Sequence, residues 1–290
     1  MGLVLDSTIQ DISTKRLRKL EEKLESDVIF FYGPIQPSIE KMFRDFIEKL
    51  KVDEIDNNRL TIILNTPGGS AETVEKMVAI TRHFYEEVNF IVPDYAMSAG
   101  TIFCMAGDNI WMDYSSSLGP IDPQVFNGAN WVPALGYLDK VDELIEKSKN
   151  NELTQAEFLM LKDQDLAMLK SYEQARDLTV SLLKDWLVRY KFKDWNEHHS
   201  TPALKGQPVT EGQKQARAEE IARILGNNKR WHTHGRSIGL STLQTELRLK
   251  IEDYSYNDEL CSLIRDYNDV ICDYIVRMGI QNFLHSRNHF

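Results

Sequence analysis

Cysteine is scarce in this chain and poorly spaced for chemistry. Its 290 residues include three, Cys104, Cys261 and Cys272, an odd number with no Cys-x-x-Cys pair. That pattern argues against a disulfide framework and a zinc site, and for buried thiols; no metal and no cofactor are expected. Long apolar runs are missing as well. No stretch of about 18 apolar residues occurs, so no membrane-spanning helix is encoded. After Gly2-Leu3-Val4-Leu5 come Asp6 and Asp11 and then the basic stretch Lys15 to Lys19, which is not a signal-peptide pattern. A cytoplasmic location is the expectation. Positive charge is in the minority, 34 Lys and Arg against 44 Asp and Glu, for a net charge of −10. Non-specific nucleic-acid binding needs clustered cations, so no nucleic acid is expected as a partner. Low-complexity tracts and exact internal repeats are also lacking.

What is present is a periodic α/β pattern. Apolar residues make up 42% of the chain, enough to bury a sizeable core. Short apolar runs recur at Val28–Phe31, Leu60–Leu64, Phe90–Val92 and Ile110–Met112. Between the first three lie helical faces: Ile39, Met42, Phe43, Phe46 and Ile47, then Val74, Met77, Val78, Thr81 and Phe84. Strands alternating with helices predict an α/β fold with largely parallel pairing. Long helix follows over 152–189, then a polar, turn-rich stretch, 196–213, in which His198 and His199 are expected to be exposed. Helices resume over 214–225, after Ser237 and over 257–278. In the last, Leu260, Ile264, Tyr267, Ile271, Tyr274 and Met278 form a heptad-like seam. Packing on the chain's own core is the favoured use of that seam, and an oligomer contact the alternative. The chain therefore divides into a core, 1–195, that includes a long helix, and a C-terminal helical extension, 196–290.

Three turns carry the chemistry. The strand Leu60–Leu64 runs into Asn65-Thr66-Pro67-Gly68-Gly69-Ser70 and then a helix. Paired glycines let backbone approach a ligand closely, and amides at such a turn can hold a developing oxyanion. One strand later, Ala96-Met97-Ser98-Ala99-Gly100-Thr101 sets a serine among small residues at a helix start, as in a nucleophile elbow. Taken alone, Ser98 reads better as a helix cap; two such turns on successive strands favour the nucleophile. The third turn, Leu118-Gly119-Pro120-Ile121-Asp122-Pro123-Gln124, is a stiff loop with an aspartate bracketed by prolines.

In that order the three turns resemble the Clp protease/crotonase superfamily, and within it the serine dehydrogenase proteinase family, relatives of signal peptide peptidase A. The motifs span about residues 60–125. Weaker similarity reaches back to Phe31-Tyr32-Gly33-Pro34-Ile35, and Trp231-His232-Thr233-His234-Gly235-Arg236 also looks familial. The resemblance implies a spiral of β-β-α units with additional C-terminal helices. It implies Ser98 as nucleophile, Gly69 and Ala99 as oxyanion donors with Gly68 shaping the turn, and hydrolysis of a peptide or protein substrate. A homo-oligomer is implied too; whether a partner ATPase is needed is left open.

The base is less legible. The Clp proteolytic subunit carries a histidine near the third turn, but no histidine occurs here between His83 and His198. Relatives of signal peptide peptidase A use a lysine, and Lys140 follows Ser98 at a similar spacing, so a Ser98–Lys140 dyad is the expectation. A lysine base must be largely neutral near pH 7, far below its ordinary value of about 10.4, which takes about 4 kcal/mol of desolvation. Trp131, Val132, Ala134, Leu135 and Leu138 are the candidate apolar walls, while Asp139 and Asp142 act against the shift. Lys147 and Lys149 are weaker candidates. His234 is the alternative base, reaching Ser98 from a distant segment. Two rival readings stand beside this one: an α/β-hydrolase-type esterase, and a non-catalytic scaffold or ligand-binding module of the same fold.

Overall fold

Strands buried on both faces read as unbroken apolar runs, and the runs of this chain behave so. Val28, Phe30, Ile63 and Ile91 pack to one side of a sheet; Ile29, Phe31, Ile62, Leu64 and Phe90 pack to the other. The computed structural model describes residues 2–51, 57–126, 131–198 and 204–290. The chain opens with α1 (Gly2–Leu24), β1 (Asp27–Tyr32), α2 (Glu40–Lys51), β2 (Arg59–Asn65) and α3 (Ala71–Phe84). Then come β3 (Glu87–Ile91), β4 (Tyr95–Ala96), α4 (Ala99–Met105), β5 (Asn109–Met112) and β6 (Ser117–Leu118). A hairpin, β7 (Gln124–Phe126) and β8 (Trp131–Pro133), leads to α5 (Ala134–Lys149), α6 (Gln155–Lys162) and α7 (Leu166–Trp186). Helix α7 runs on into a π-helical turn, Leu187–Lys191. The remainder is α8 (Glu211–Leu225), α9 (Asn228–Trp231), β9 (Ile238–Gly239), α10 (Leu240–Thr245), β10 (Glu252–Asp253), α11 (Asp258–Met278) and β11 (Phe283–His285).

The main sheet has the order β10-β5-β3-β2-β1-β11, parallel except for β11, which runs antiparallel to β1. A second sheet, β4-β6-β9, takes up the chain where β3 and β5 leave the first. The expected β-β-α unit is complete in β3-β4-α4; β1 and β2 lead to α2 and α3 past single bridges, Ile35 to Gly69 and Thr66 to Ala96, and β5-β6 continues into the hairpin that precedes α5. One face of the main sheet is covered by α2, α3, α4, α7 and α8, the other by α1 and α11.

The seam of α11 is spent inside the chain. Leu260, Ile264, Tyr267 and Ile271 are buried with Leu17 and Leu20 of α1, while Met278 lies exposed at the end. Residues 196–290 carry the expected C-terminal helices, α8 to α11, and short strands between and after them. They add β9 to the small sheet and β10 and β11 to the two edges of the main one. Strands of two or three residues are too short for a period of two to show in sequence. His198 is buried, not exposed, and pairs through Nε2 with Gln213 Oε1 at 3.3 Å; His199 lies outside the described residues.

At the sheet edge His285 is fully buried, its Nδ1 2.7 Å from the Tyr267 hydroxyl and its Nε2 3.3 Å from Thr14 Oγ1. Burial pushes its imidazole from 6.5 down to about 3. The unfolded chain therefore binds a proton that the folded chain refuses between those values, so stability falls as pH drops through that window. From pH 7 to pH 5 this group should cost about 2 kcal/mol. Urea unfolding of the wild type should show that loss, and His285→Gln should flatten the slope by the same amount. An equal slope in both proteins would show that His285 is not the titrating group.

Candidate active site

The ends of β2 and β4 are tied together first. Thr66 donates its amide to Tyr95 O and accepts from the Met97 amide, each at 3.0 Å. Beyond that bridge the chain must turn twice in the same small space. Gly68 has φ of 97° and Gly69 of 150°, backbone that side chains rarely adopt. A β-carbon on Gly68 would stand 2.8 Å from Ser98 Cβ and 3.2 Å from the Ala99 nitrogen; one on Gly69 would stand 1.9 Å from Ile35 O. The two motif turns are therefore in direct contact, and a third segment presses on them. Ile35 donates to Gly68 O and accepts from the Ser70 amide, both at 2.8 Å. Thr66 Oγ1 accepts the Gly68 amide at 3.0 Å. Among the described residues, the amides of Gly69 and Ala99 have no partner.

Ser98 stands at the N-terminus of α4 but does not cap it. Its side chain makes no capping bond, whereas Ser70 caps α3 by accepting from the Thr73 amide. Its backbone is strained, with φ of 51° and ψ of −115°. Such a conformation costs about 1–3 kcal/mol and persists only where the surroundings impose it. Here α4 imposes it: all seven of its residues are buried, and Ser98 itself is half-buried, its hydroxyl without a partner among the described residues.

Thr101, one turn along α4, joins this site to the third motif. Its buried hydroxyl lies 2.8 Å from Ala96 O and 2.9 Å from Gly119 O, and accepts the Gly119 amide at 2.9 Å. Past Gly119 the loop carries Asp122, which is buried. Its Oδ1 lies 2.9 Å from His234 Nδ1, and its Oδ2 accepts from Gln124 Nε2 at 3.0 Å. A carboxylate only accepts, so Nδ1–H is the donor, and in the neutral ring the lone pair is then on Nε2. The small sheet brings these residues to one end. Ala96, Leu118 and Ile238 lie side by side in β4, β6 and β9. Past Ala96 the chain reaches Ser98, and past Leu118 it reaches Asp122; β9, running the other way, is entered from His234.

Lys140 is placed differently from the sequence expectation. It sits on α5, its side chain 55% exposed, and its Nζ donates to both carboxylate oxygens of Glu143, at 2.9 and 3.0 Å. Ala134 and Leu138 are spent packing on Leu169 and Tyr172 of α7 and leave Lys140 in solvent. The α5 residues beside Ile121 and Pro123 are Leu135, Leu138, Asp139 and Asp142. Lys147 pairs with Glu157 and Lys149 with Glu146. Asp122 and Thr101 are residues that the sequence reading does not assign to the site. Two flanking prolines and a helical spacing of three from Ser98 were their signals, and both are weak.

Comparison with known proteins agrees with this architecture. Residues 40–204 match the model of the ClpP-like SDH-type serine proteinases. Two uncharacterized proteins of Methanocaldococcus jannaschii are similar over part of the chain. One is 30% identical over 135 residues, 47% of this chain and 43% of the relative; the other is 31% identical over 126 residues, 43% and 39% respectively. The chain thus spans less than half the length of the curated relatives it matches. Among solved structures, a serine-to-alanine variant of the membrane-bound stomatin-specific protease 1510-N aligns with a TM-score of 0.46 at 13% identity, covering 81% of this chain and 83% of that one. A lysine-to-alanine variant of that protease, in complex with a substrate peptide, aligns with a TM-score of 0.45 at 14% identity, covering 78% and 75%. With more than half of its length inside the family model, the chain belongs to the ClpP-like SDH-type serine proteinases.

Proposed function

We propose that this chain is a serine peptidase that forms an acyl-enzyme on Ser98. The observation that carries this reading is the contact between the Gly68–Gly69 turn and the strained, uncapped Ser98, with two amides and one hydroxyl that have no partner among the described residues. In the proposed reaction, Ser98 Oγ attacks the peptide carbonyl carbon. The negative oxygen of the tetrahedral intermediate is held by the Gly69 and Ala99 amides. Collapse expels the amine, and water then releases the acid.

For the base the proposal favours His234 over Lys140. His234 has the orienting partner that such a base requires, a buried carboxylate on Nδ1, and its Nε2 is free to take the serine proton and return it to the leaving amine. Lys140 instead holds an exposed ion pair with Glu143, a contact of little worth, and has no apolar wall around it. A peptide or protein is the proposed substrate. Self-association is proposed as well, supported by the apolar side chains of Phe158, Leu159, Met160, Leu166 and Met168, exposed on α6 and the start of α7. Among the described residues, no helix is long and apolar enough to cross a membrane.

A fluorophosphonate probe should label the wild type covalently at Ser98, and Ser98→Ala should lose both labelling and peptidase activity, by a factor on the order of 10⁴ or more. Labelling elsewhere, or turnover in the pure variant, would remove Ser98 from the mechanism; a wild type with neither labelling nor turnover would return the protein to a scaffold role. His234→Ala should reduce activity nearly as far as Ser98→Ala, and the double variant no further, because residues acting as one unit do not add. Lys140→Ala should keep most activity; the opposite pattern would reinstate the Ser98–Lys140 dyad. Thr66→Val and Thr101→Val each leave a buried amide unpaired at the same shape. Each should lower stability by about 1–3 kcal/mol and kcat by more than KM. Wild-type kcat in both would show that these hydroxyls serve folding alone.

A further inference from the structure

At the end of the main sheet away from Ser98, where β3 and β5 begin, a cavity of about 690 Å³ opens into the protein. Its wall is the π-helical turn Leu187–Lys191 with the residues that follow, closed by α8 and by the segment after α10. Single π-helical turns inside helices occur often at functional sites. The volume is that of a small-molecule pocket.

The charges around it are unevenly matched. Asp108 is held by Arg82 and Lys193, Glu220 by Arg217, and Glu87 by Arg59; Asp194 is exposed and without a cation among the described residues. Two cations are also left over. Lys191 is half-buried, and among the described residues its Nζ has one hydrogen bond, to the backbone oxygen of Asp108 at 3.2 Å. Arg248 has no carboxylate partner among the described residues and holds a strained backbone, with φ of 46°. Lys250, paired with Glu252, also lines the cavity. Burial, with the nearby ammonium of Lys250, outweighs the Glu252 and Asp108 carboxylates and pulls Lys191 down to about 8. A charge so placed is relieved by an anion, which restores both the lost solvation and the balance of charge. Beside these cations stand Phe192 and Trp195, edge to face with ring centres 5.5 Å apart, a rigid apolar wall.

We propose that this cavity is a binding site for a small anionic ligand with an aromatic body, the anion taken by Lys191 and Arg248 and the ring by Phe192 and Trp195. The inference rests on the fold and not on the role of Ser98. It can be tested on the full chain with 8-anilinonaphthalene-1-sulfonate, an aromatic anion, and with its neutral parent, N-phenyl-1-naphthylamine, by titration calorimetry. The sulfonate should bind at one site per chain and at least about tenfold more tightly than the neutral compound, the worth of a charge-assisted contact. Lys191→Met should weaken sulfonate binding about tenfold or more, and Arg248→Ala, an exposed position that leaves the core intact, about threefold or more. Should Lys191→Met fail to fold, Arg248→Ala decides. Absence of binding, equal affinity for the neutral compound, or an unchanged Kd in Arg248→Ala would overturn the proposal.

Discussion

The candidate centre depends on one close approach, the α-carbon of Gly68 against Ser98. Any β-carbon there would push the two turns apart, since it would sit 2.8 Å from Ser98 Cβ and 2.5 Å from Met97 O. Separating them would part the Gly69 and Ala99 amides, which the proposed reaction uses together. The bridge from Ile35 to the Gly69 turn and the Thr66 hydroxyl hold the first turn in place. The second is held by the burial of α4. Pre-aimed amides need not reorganise when charge develops, which is why such contacts count for more in a rigid site than in water.

Helix α4 is anchored at both ends. Near its start, Thr101 ties it to the Asp122 loop. At its end, Arg82 donates to Ala106 O at 2.6 Å and to Asp108 Oδ2 at 2.8 Å, while its guanidinium lies 3.8 Å over the Tyr190 ring. The Asp108 carboxylate also accepts the Val88 amide at 2.8 Å, so the helix end, β3 and the π-helical turn meet at one buried acid. A seven-residue helix is too short to hold itself, and tertiary contacts supply its stability. The strain at Ser98 is thereby carried by the whole of α4 and its neighbours.

Buried acids recur through the fold, each with named partners. Asp27 takes Arg287 and the Tyr85 hydroxyl. Burial alone would raise the Asp113 carboxyl; Arg265 and the Ser115 and Ser116 groups outweigh it and hold it at about 2. Most of these partners lie far away in sequence, so a net charge of −10 says nothing about which carboxylates are inside. Asp122 and His234, 112 residues apart, are the pair with catalytic meaning in the proposed reaction.

Local sequence determined a good deal. The unbroken apolar runs announced parallel strands because both sheet faces are buried, and Gly68–Gly69 announced a turn that no other residue fits. The three motifs, in order, pointed to the fold. Helix α1 was not legible: its sequence is largely polar, and the face carrying Leu17 and Leu20 acquires meaning only against α11. The short strands of 196–290 were not legible either, because two or three residues have no period. That Ser98 leaves its helix uncapped was a tertiary decision, since the same serine in another packing would be an ordinary cap. So was the environment of each candidate base. Lys140 and His234 both stand in plausible sequence surroundings. Only the packing of α5 on α7, and of β9 beside β6, put one in solvent against Glu143 and the other on a buried carboxylate, because solvation and pairing are properties of space and not of spacing.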